Sequence, residues 1–356
     1  MNIQINPVSP ESRKNPPESL EGIEFGSHFT NHMFLMNWEP DGGWQNARIE
    51  QYQALSLDPA AIVLHYGHEA FEGLKAYLTV SGNHVLFRPR KNFERLQQTS
   101  RRIGLPEIDA DFGLEALKLL LQQDKDWIPN EPGCSLYVRP NLIATEPALS
   151  LKKSEYFLFY IILSPVGSFY AKGFAPVRIK VSEDYTRAAA GGIGGVKTAG
   201  NYAASNLAQI EAKKEGFSQV LWLDGKEQRY VEEVGSMNIF FVIDDEIVTP
   251  QLTGSILPGI TRDSVLQLSR NWGLKTTERR ITIEEVIEGI ENGRLTEIFG
   301  AGTAAVISPV GVLQYKGKEY VIQDDIGPMA ERFYDEVTGI QYGKTNDPFQ
   351  WLEPIY

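Results

Sequence analysis

A mixed α and β protein organised in two domains is what this sequence predicts. The chain has 356 residues, more than one core usually organises. Short apolar runs of strand length are interleaved with amphipathic stretches at helical spacing. Successive strand-like segments also face each other across tight polar turns, giving too many hairpins for a simple doubly wound sheet.

The elements follow in order. Residues 1–24 are rich in proline and charge and read as a loose polar arm. From 25 to 170 the pattern is that of a smaller N-terminal α/β domain. "HVLFRP" (84–89) reads as a strand ending at a proline, and "NFERLQQTSRRIGL" as a helix capped by Asn92 and stopped near Gly104. "GLEALKLLLQQDKDWI" (113–128) is a second amphipathic helix, while "SLYVRPNLIA" and "EYFLFYIIL" are strands. Residues 164–177 hold two prolines and two glycines without a period, which places a linker there and a boundary near Tyr170. The larger second domain, 171–356, begins with the strand "VRIKVSEDY" and a glycine-rich loop. A helix from about Tyr202 to Lys214 closes at Gly216. The strands "QVLWLD", "NIFFVI" and "EIVTP" come next, the last two joined across Asp244-Asp245. "PGITRDSVLQLSRNWG" is a helix following Pro258-Gly259.

Composition removes several function classes. A net charge of -12 argues against a nucleic-acid or anionic-membrane binder, which would need clustered Lys and Arg. A local basic pocket for a small phosphorylated molecule stays open. Cys134 is the single cysteine, so neither an internal disulfide nor a cysteine metal cluster is expected, and a reducing compartment is. The start lacks the apolar core of a signal peptide. The longest apolar run, "YFLFYIIL" (156–163), suits a buried strand and is too short to span a bilayer. A cytoplasmic protein with no bound metal is the expectation.

The chemistry centres on "GGIGGVKTAGNY" (191–202), five glycines around Lys197. A phosphate-clamping Walker loop needs glycine directly before the lysine, where Val196 stands. The dinucleotide fingerprint fails too, since Gly192-Ile193-Gly194 is followed at the third glycine's place by Lys197. Two readings remain: an exposed loop with a solvated lysine, or an amine that bonds covalently to an aldehyde cofactor. The second requires a partly desolvated lysine, a carboxylate facing a pyridine nitrogen, a phenol and a phosphate cradle. Tyr202 could be the phenol, and Glu232 or Glu233, at the mouth of an apolar strand, the carboxylate. The amides of Ile260 and Thr261 at a helix start, the turn through Gly300, Gly302, Thr303 and Ala304, and Arg88 could hold the phosphate. Each alone reads equally well as a cap, a turn or a surface pair. Their joint presence separates the readings.

The segments "GGIGGVKTAGNY", "EEVGSMNIFF", "LPGITRDS" and "FGAGTAAVISPV" resemble those of the branched-chain amino-acid aminotransferases, fold-type-IV pyridoxal phosphate enzymes. The likeness continues upstream through "FGSHFTNHMF", "LHYGHEAFEGLKAY", "LFRPRKNFERL" and "LYVRPNLIATEP". It covers about residues 25–309 in the family's own order.

The resemblance implies a two-domain α+β fold with a barrel-like β core in the larger domain. It implies reversible amino transfer, by a ping-pong route on pyridoxal 5'-phosphate, between L-leucine, L-isoleucine or L-valine and 2-oxoglutarate. Lys197 would be the Schiff-base lysine and the proton-moving base. Tyr202 would bond the ring oxygen, and Glu233, directly before the Val-Gly pair, would face the ring nitrogen. Arg88, the Ile260 and Thr261 amides and Thr303 would hold the phosphate, with help from Arg187. Phe25, Tyr66, Phe71 and Tyr137 match the pocket walls. Tyr66, the Thr303 and Ala304 amides and Arg139 match the carboxylate end. Leu149 and Leu151 would reach a neighbouring subunit's pocket, implying a homodimer.

The sequence departs from the pattern in two places. Ala305 and Ser308 stand where mammalian members carry a Cys-x-x-Cys pair, which points to a bacterial-type enzyme without that thiol control. Ser236 replaces a usual threonine in the substrate pocket. The rival readings are a D-amino-acid aminotransferase or aminodeoxychorismate lyase of the same fold, which lack the long amino-terminal stretch, and a non-catalytic phosphate- or nucleotide-binding module, against which spacing and charge both stand.

Overall fold

The computed structural model describes residues 1–167 and 173–356, so the expected boundary near Tyr170 lies outside the described residues. Two compact units make up the chain. Unit 1 is Met1–Ala171 with Lys197–Ala199 and Gly339–Tyr356; unit 2 is Lys172–Val196 with Gly200–Thr338.

Unit 1 is built on a mainly antiparallel sheet. Its strands are β1 (Gln4–Ile5), β2 (His32–Glu39), β3 (Gly43–Gln51), β4 (Glu69–Phe71), β5 (Leu74–Leu78), β6 (His84–Phe87), β7 (Ser135–Ala144) and β8 (Phe157–Val166). The spatial order is β1-β3-β2-β8-β7-β5-β6, then a C-terminal strand, Leu352–Pro354, with β4 pairing β7. Helices α1 (Ile62–Tyr66), α2 (Pro89–Ile103) and α3 (Ala110–Gln123) belong to it. The core joins Phe34, Phe159 and Ile161 of the sheet to Phe93 and Leu96 of α2 and Leu117 and Leu120 of α3. Both helices repeat their apolar residues every three or four positions, which turns one stripe inward.

The structure corrects four expectations. The arm 1–24 is not loose: β1 pairs in parallel with β3 at Arg48 and Ile49, Val8 N donates to His32 Nε2 at 3.0 Å and Leu20 is buried. Helix α2 starts three residues before the expected Asn92 cap. Arg88 occupies the N-cap with φ 51° and ψ 40°, ahead of Pro89, where a missing N–H costs nothing. Residues 164–166, expected in a linker, complete β8 opposite Ser135–Tyr137, and Val177 opens the next strand. The segment Gly339–Tyr356, expected in the second domain, packs in unit 1: its last strand pairs with β6 and Tyr342 Oη donates to Cys134 O at 2.9 Å.

Unit 2 contains a closed barrel. Its strands are β9 (Val177–Val181), β10 (Gln219–Leu223), β11 (Val231–Val234), β12 (Met237–Ile243), β13 (Glu246–Pro250), β14 (Thr276–Arg279), β15 (Leu295–Gly302), β16 (Val306–Tyr315) and β17 (Lys318–Val321). The path β11-β10-β9-β16-β15-β12 returns to β11, closing a six-stranded ring; β13 and β14 extend it beyond β12, and β17 lies beside β16. Asp244 and Asp245 both take positive φ, 50° and 61°, as a two-residue hairpin turn demands. Helices α4 (Ala199–Lys214), α5 (Ile260–Asn271), α6 (Ile283–Glu291) and α7 (Pro328–Gln341) complete the chain. Phe240 and Phe299 stack at 5.2 Å with Phe333 5.6 Å from Phe299, and Trp222 is buried in a separate cluster with Ala208, Ala212, Phe217 and Val220. No helix among the described residues is long and apolar enough to cross a membrane.

Candidate active site

In unit 1 the lysine of the glycine-rich segment is held by its backbone. Lys197 N donates to Thr99 Oγ1 of α2 at 3.1 Å, and Lys197 O accepts from Phe71 N at 3.1 Å. Thr198 Oγ1 donates to Glu69 O at 2.6 Å, making Lys197–Ala199 an extra edge on β4. The ammonium of Lys197 lies 4.6 Å from the Phe71 ring centre, and the Arg139 guanidinium 4.8 Å from the same ring. One ring thus serves two cations. Arg139 Nη2 donates to Tyr137 Oη at 3.1 Å, and Phe25 meets the Tyr137 ring edge-on at 4.9 Å. Phe25, Phe71, Tyr137 and Arg139 therefore form one linked group.

Other expected residues stand elsewhere in unit 1. Tyr66 is half-exposed at the end of α1 and donates to Leu149 O at 2.6 Å; the side chains of Leu149 and Leu151 face solvent. Arg88 is buried, its backbone N bonded to Trp351 O at 2.8 Å and its guanidinium 5.0 Å from the Trp351 ring. A left-handed backbone at a buried arginine is strained, and such strain gathers at functional sites.

Beneath the lysine segment, Glu72 is fully buried. Arg95 of α2 grips it with Nε–Oε1 at 2.7 Å and Nη2–Oε2 at 2.9 Å, and Asn92 Nδ2 donates to Oε2 at 2.8 Å. This fork fixes α2, hence Thr99 one turn on, against the strand that Lys197 joins.

In unit 2 the glycine loop is stitched down rather than free. Asn201 Nδ2 donates to Ile193 O and Val196 O, both at 2.8 Å. A Cβ on Gly194 would stand 2.3 Å from Ser255 O, and one on Gly195 2.9 Å from Gly254 O. The glycines serve this backbone-on-backbone approach.

Around it, Arg187, Tyr202, Glu233, Gly235, Ser236 and Leu257 line a cavity of about 200 Å³. Arg187 Nε pairs with Glu233 Oε2 at 3.0 Å, both side chains being buried. Glu233 Oε1 accepts from Leu257 N at 2.7 Å. Three barrel strands carry the neighbourhood onward: Glu233 is opposite Asn238, and Asn238 opposite Ala301. Asn238 Nδ2 donates to Leu257 O at 2.9 Å, tying β12 to the approach to α5. Ile260 and Thr261 stand in the first turn of α5 behind Gly259, where the positive end of the helix dipole lies. Thr303 and Ala304 form the turn between Gly302 and Val306, and Val306 has φ 63°, a conformation a β-branched residue rarely takes.

Glu232, the alternative carboxylate, points the other way from Glu233, as strand alternation requires. Burial pushes its carboxyl up against the opposing Ser255 hydrogen bond and the Arg187 charge. Burial alone does not select Lys197 among the lysines, because Lys75 of β5 is deeper and burial lowers its pKa to about 8. What distinguishes Lys197 is its place in the glycine-rich segment beside the Phe71 ring that it shares with Arg139. No cluster of three metal-ligating side chains occurs among the described residues.

The sequence did not flag Thr99, the Glu72–Arg95–Asn92 fork, Ser255 or Asn238. A buried fork has one readable sign, a charged Arg95 on the apolar face that carries Leu96 and Thr99. The others are ordinary polar residues whose partners are distant in sequence.

Residues 69–312 match the family model for class IV amino-transferases. The chain is 53% identical to branched-chain-amino-acid aminotransferase 2 of Bacillus subtilis (strain 168), over 100% of this chain and 98% of that protein. It is 51% identical to branched-chain-amino-acid transaminase 1 of the same organism, over 96% of each. Among solved structures, the branched-chain amino acid aminotransferase of Escherichia coli matches with a TM-score of 0.77 at 25% identity, covering 91% of this chain and 99% of that one.

Proposed function

The chain belongs to the class IV aminotransferase family, and from that premise we propose reversible amino transfer between L-leucine, L-isoleucine or L-valine and 2-oxoglutarate, with pyridoxal phosphate as cofactor. The observation that carries this is the buried Arg187–Glu233 pair on the wall of a cavity that Tyr202 also lines. A carboxylate paired with an arginine and a backbone amide is the chemical complement of a protonated ring nitrogen. The donor set therefore fits the cofactor.

When bound, pyridoxal phosphate supplies an electron sink for the amino acid's α-carbon. Lys197 Nζ would hold the cofactor through its aldehyde and, once displaced by the substrate's own amino group, would be the base that takes the α-carbon proton. Glu233 would hold the proton on the ring nitrogen, and Tyr202 Oη would bond the ring oxygen. Arg88, the Ile260 and Thr261 amides and Thr303 take the phosphate. Arg187 pairs with Glu233 and donates through Nη2 to Gly194 O at 3.1 Å and to Ser255 O, so beside any help it gives the phosphate it supports the carboxylate.

Phe25, Phe71 and Tyr137 give the branched side chain an apolar wall, and family likeness assigns Tyr66, Ser236, Thr303 and Ala304 to the substrate as well. Arg139 and Tyr137 let the same site admit glutamate. Exposed Leu149 and Leu151 suit an interface with a second copy of the chain, and the enzyme works as a cytoplasmic homodimer. Tyr137→Phe should raise KM for glutamate about tenfold while moving that for leucine little, since only the acidic side chain can use the hydroxyl. Steady-state kinetics with each donor decide, and equal changes would refute the assignment.

A visible spectrum of the purified protein, before and after L-leucine, tests the whole reading. A yellow band that shifts with L-leucine supports it. A band that answers only D-amino acids moves the assignment to the same-fold rival, and no band after incubation with pyridoxal phosphate removes it.

A further inference from the structure

The first glutamate of the Glu232-Glu233 doublet has no part in the chemistry above, yet it is as buried as its neighbour. Ser255 Oγ donates to Glu232 Oε1 and lies 2.9 Å from Thr253 Oγ1. Glu232 Oε2 is buried without a hydrogen-bond partner. On the same serine, Ser255 O accepts from Arg187 Nη2, and two residues on Leu257 N donates to Glu233 Oε1. The 253–257 loop therefore contributes two groups to the Arg187–Glu233 pair, and it is anchored by the side-chain bond to Glu232 at Ser255 and by Asn238 at Leu257 O.

We propose that Glu232, acting through Ser255, is a positioning residue that holds the loop and thereby the Arg187–Glu233 pair in register. The inference rests on the reading of Glu233 as the partner of the cofactor's ring nitrogen. A buried oxygen without a partner is less costly on a neutral acid than on a carboxylate, which favours the protonated form of Glu232. Burial raises its pKa in the same direction. The charged groups that face it are Arg187, Asp224 and Arg280, and Lys226, Glu227 and Tyr230 complete the cavity of about 160 Å³ that it lines. If Glu232 ionises as pH rises, a second carboxylate enters the field of Arg187 and alters the environment of Glu233.

Three variants and two readouts test this: fluorescence titration of the apo-protein with pyridoxal phosphate, and the pH dependence of the visible spectrum of the loaded protein. Glu232→Ala and Ser255→Ala each remove the anchor and should weaken pyridoxal phosphate binding about tenfold. Glu232→Gln keeps an acceptor oxygen and cannot ionise. It should recover most of that affinity and lose the alkaline spectral transition of the native protein. Circular dichroism and thermal midpoints confirm folding, and Glu232→Gln keeps the test open should the alanine variant unfold. Native affinity and an unchanged pH profile in all three would overturn the proposal. So would a glutamine variant as weak as the alanine one. Glu233→Gln separates the two ideas: if it binds and turns over normally, the role of Glu233 itself fails. If it is impaired while the Glu232 and Ser255 variants are native, only the positioning role fails.

Discussion

Lys197→Ala should fold normally and lose at least about a thousandfold in kcat for exchange between leucine and 2-oxoglutarate. The alanine removes both the amine that carries the cofactor and the base that moves the proton, and a positioned general base alone contributes about 10² to 10⁴. The fold should survive because the anchors of this segment, Lys197 N to Thr99 and Lys197 O to Phe71, are backbone bonds that alanine retains. Borohydride reduction followed by peptide mass mapping supplies the decisive comparison. In the native protein the pyridoxyl adduct should sit on Lys197. An adduct on buried Lys75, whose lowered pKa makes it the other candidate amine, would overturn the assignment, as would near-native turnover in the alanine variant.

Arg95→Ala should have the largest effect on stability, about 3–5 kcal/mol, because it strands the fully buried Glu72 carboxylate without its partner. Urea denaturation with matched slopes gives the number. The loss should reach the site as well, since Arg95 and Thr99 are one turn apart on α2 and Thr99 holds Lys197. A double change, Glu72→Gln with Arg95→Met, should recover a good part of the stability by removing the charge along with its partner. If Arg95→Ala costs less than about 1 kcal/mol, the fork is not what fixes α2.

The contrast between elements shows what a sequence can disclose. Strand β7 spans Ser135–Ala144, the full "SLYVRPNLIA" segment, because apolar positions bounded by turns fix a strand locally. The start of α2 is harder to read because Asn92, a good cap by type, is instead buried against Glu72, which lies twenty positions earlier. Polar composition makes the first residues look loose, although a two-residue strand needs only backbone groups to dock on β3. At the site, family likeness favours Glu233 over Glu232, and the geometry gives that choice a physical basis in Arg187. The same likeness assigns Arg187 to the phosphate, whereas its pairing with Glu233, forty-six positions away, leaves no local trace in the sequence. Spacing excludes a phosphate loop at 191–197, and the Ser255 and Gly254 carbonyls explain why the glycines are nevertheless required.

Lys197 is held by groups that precede it by 98 residues at Thr99 and by more than that at Phe71. The segment therefore docks only on strand β4 and helix α2 once these are in place, whenever in folding that happens. Placement of the lysine is thus a late property of the chain, reached only with its long-range contacts, and a fragment that ends before residue 197 or lacks α2 cannot reproduce it.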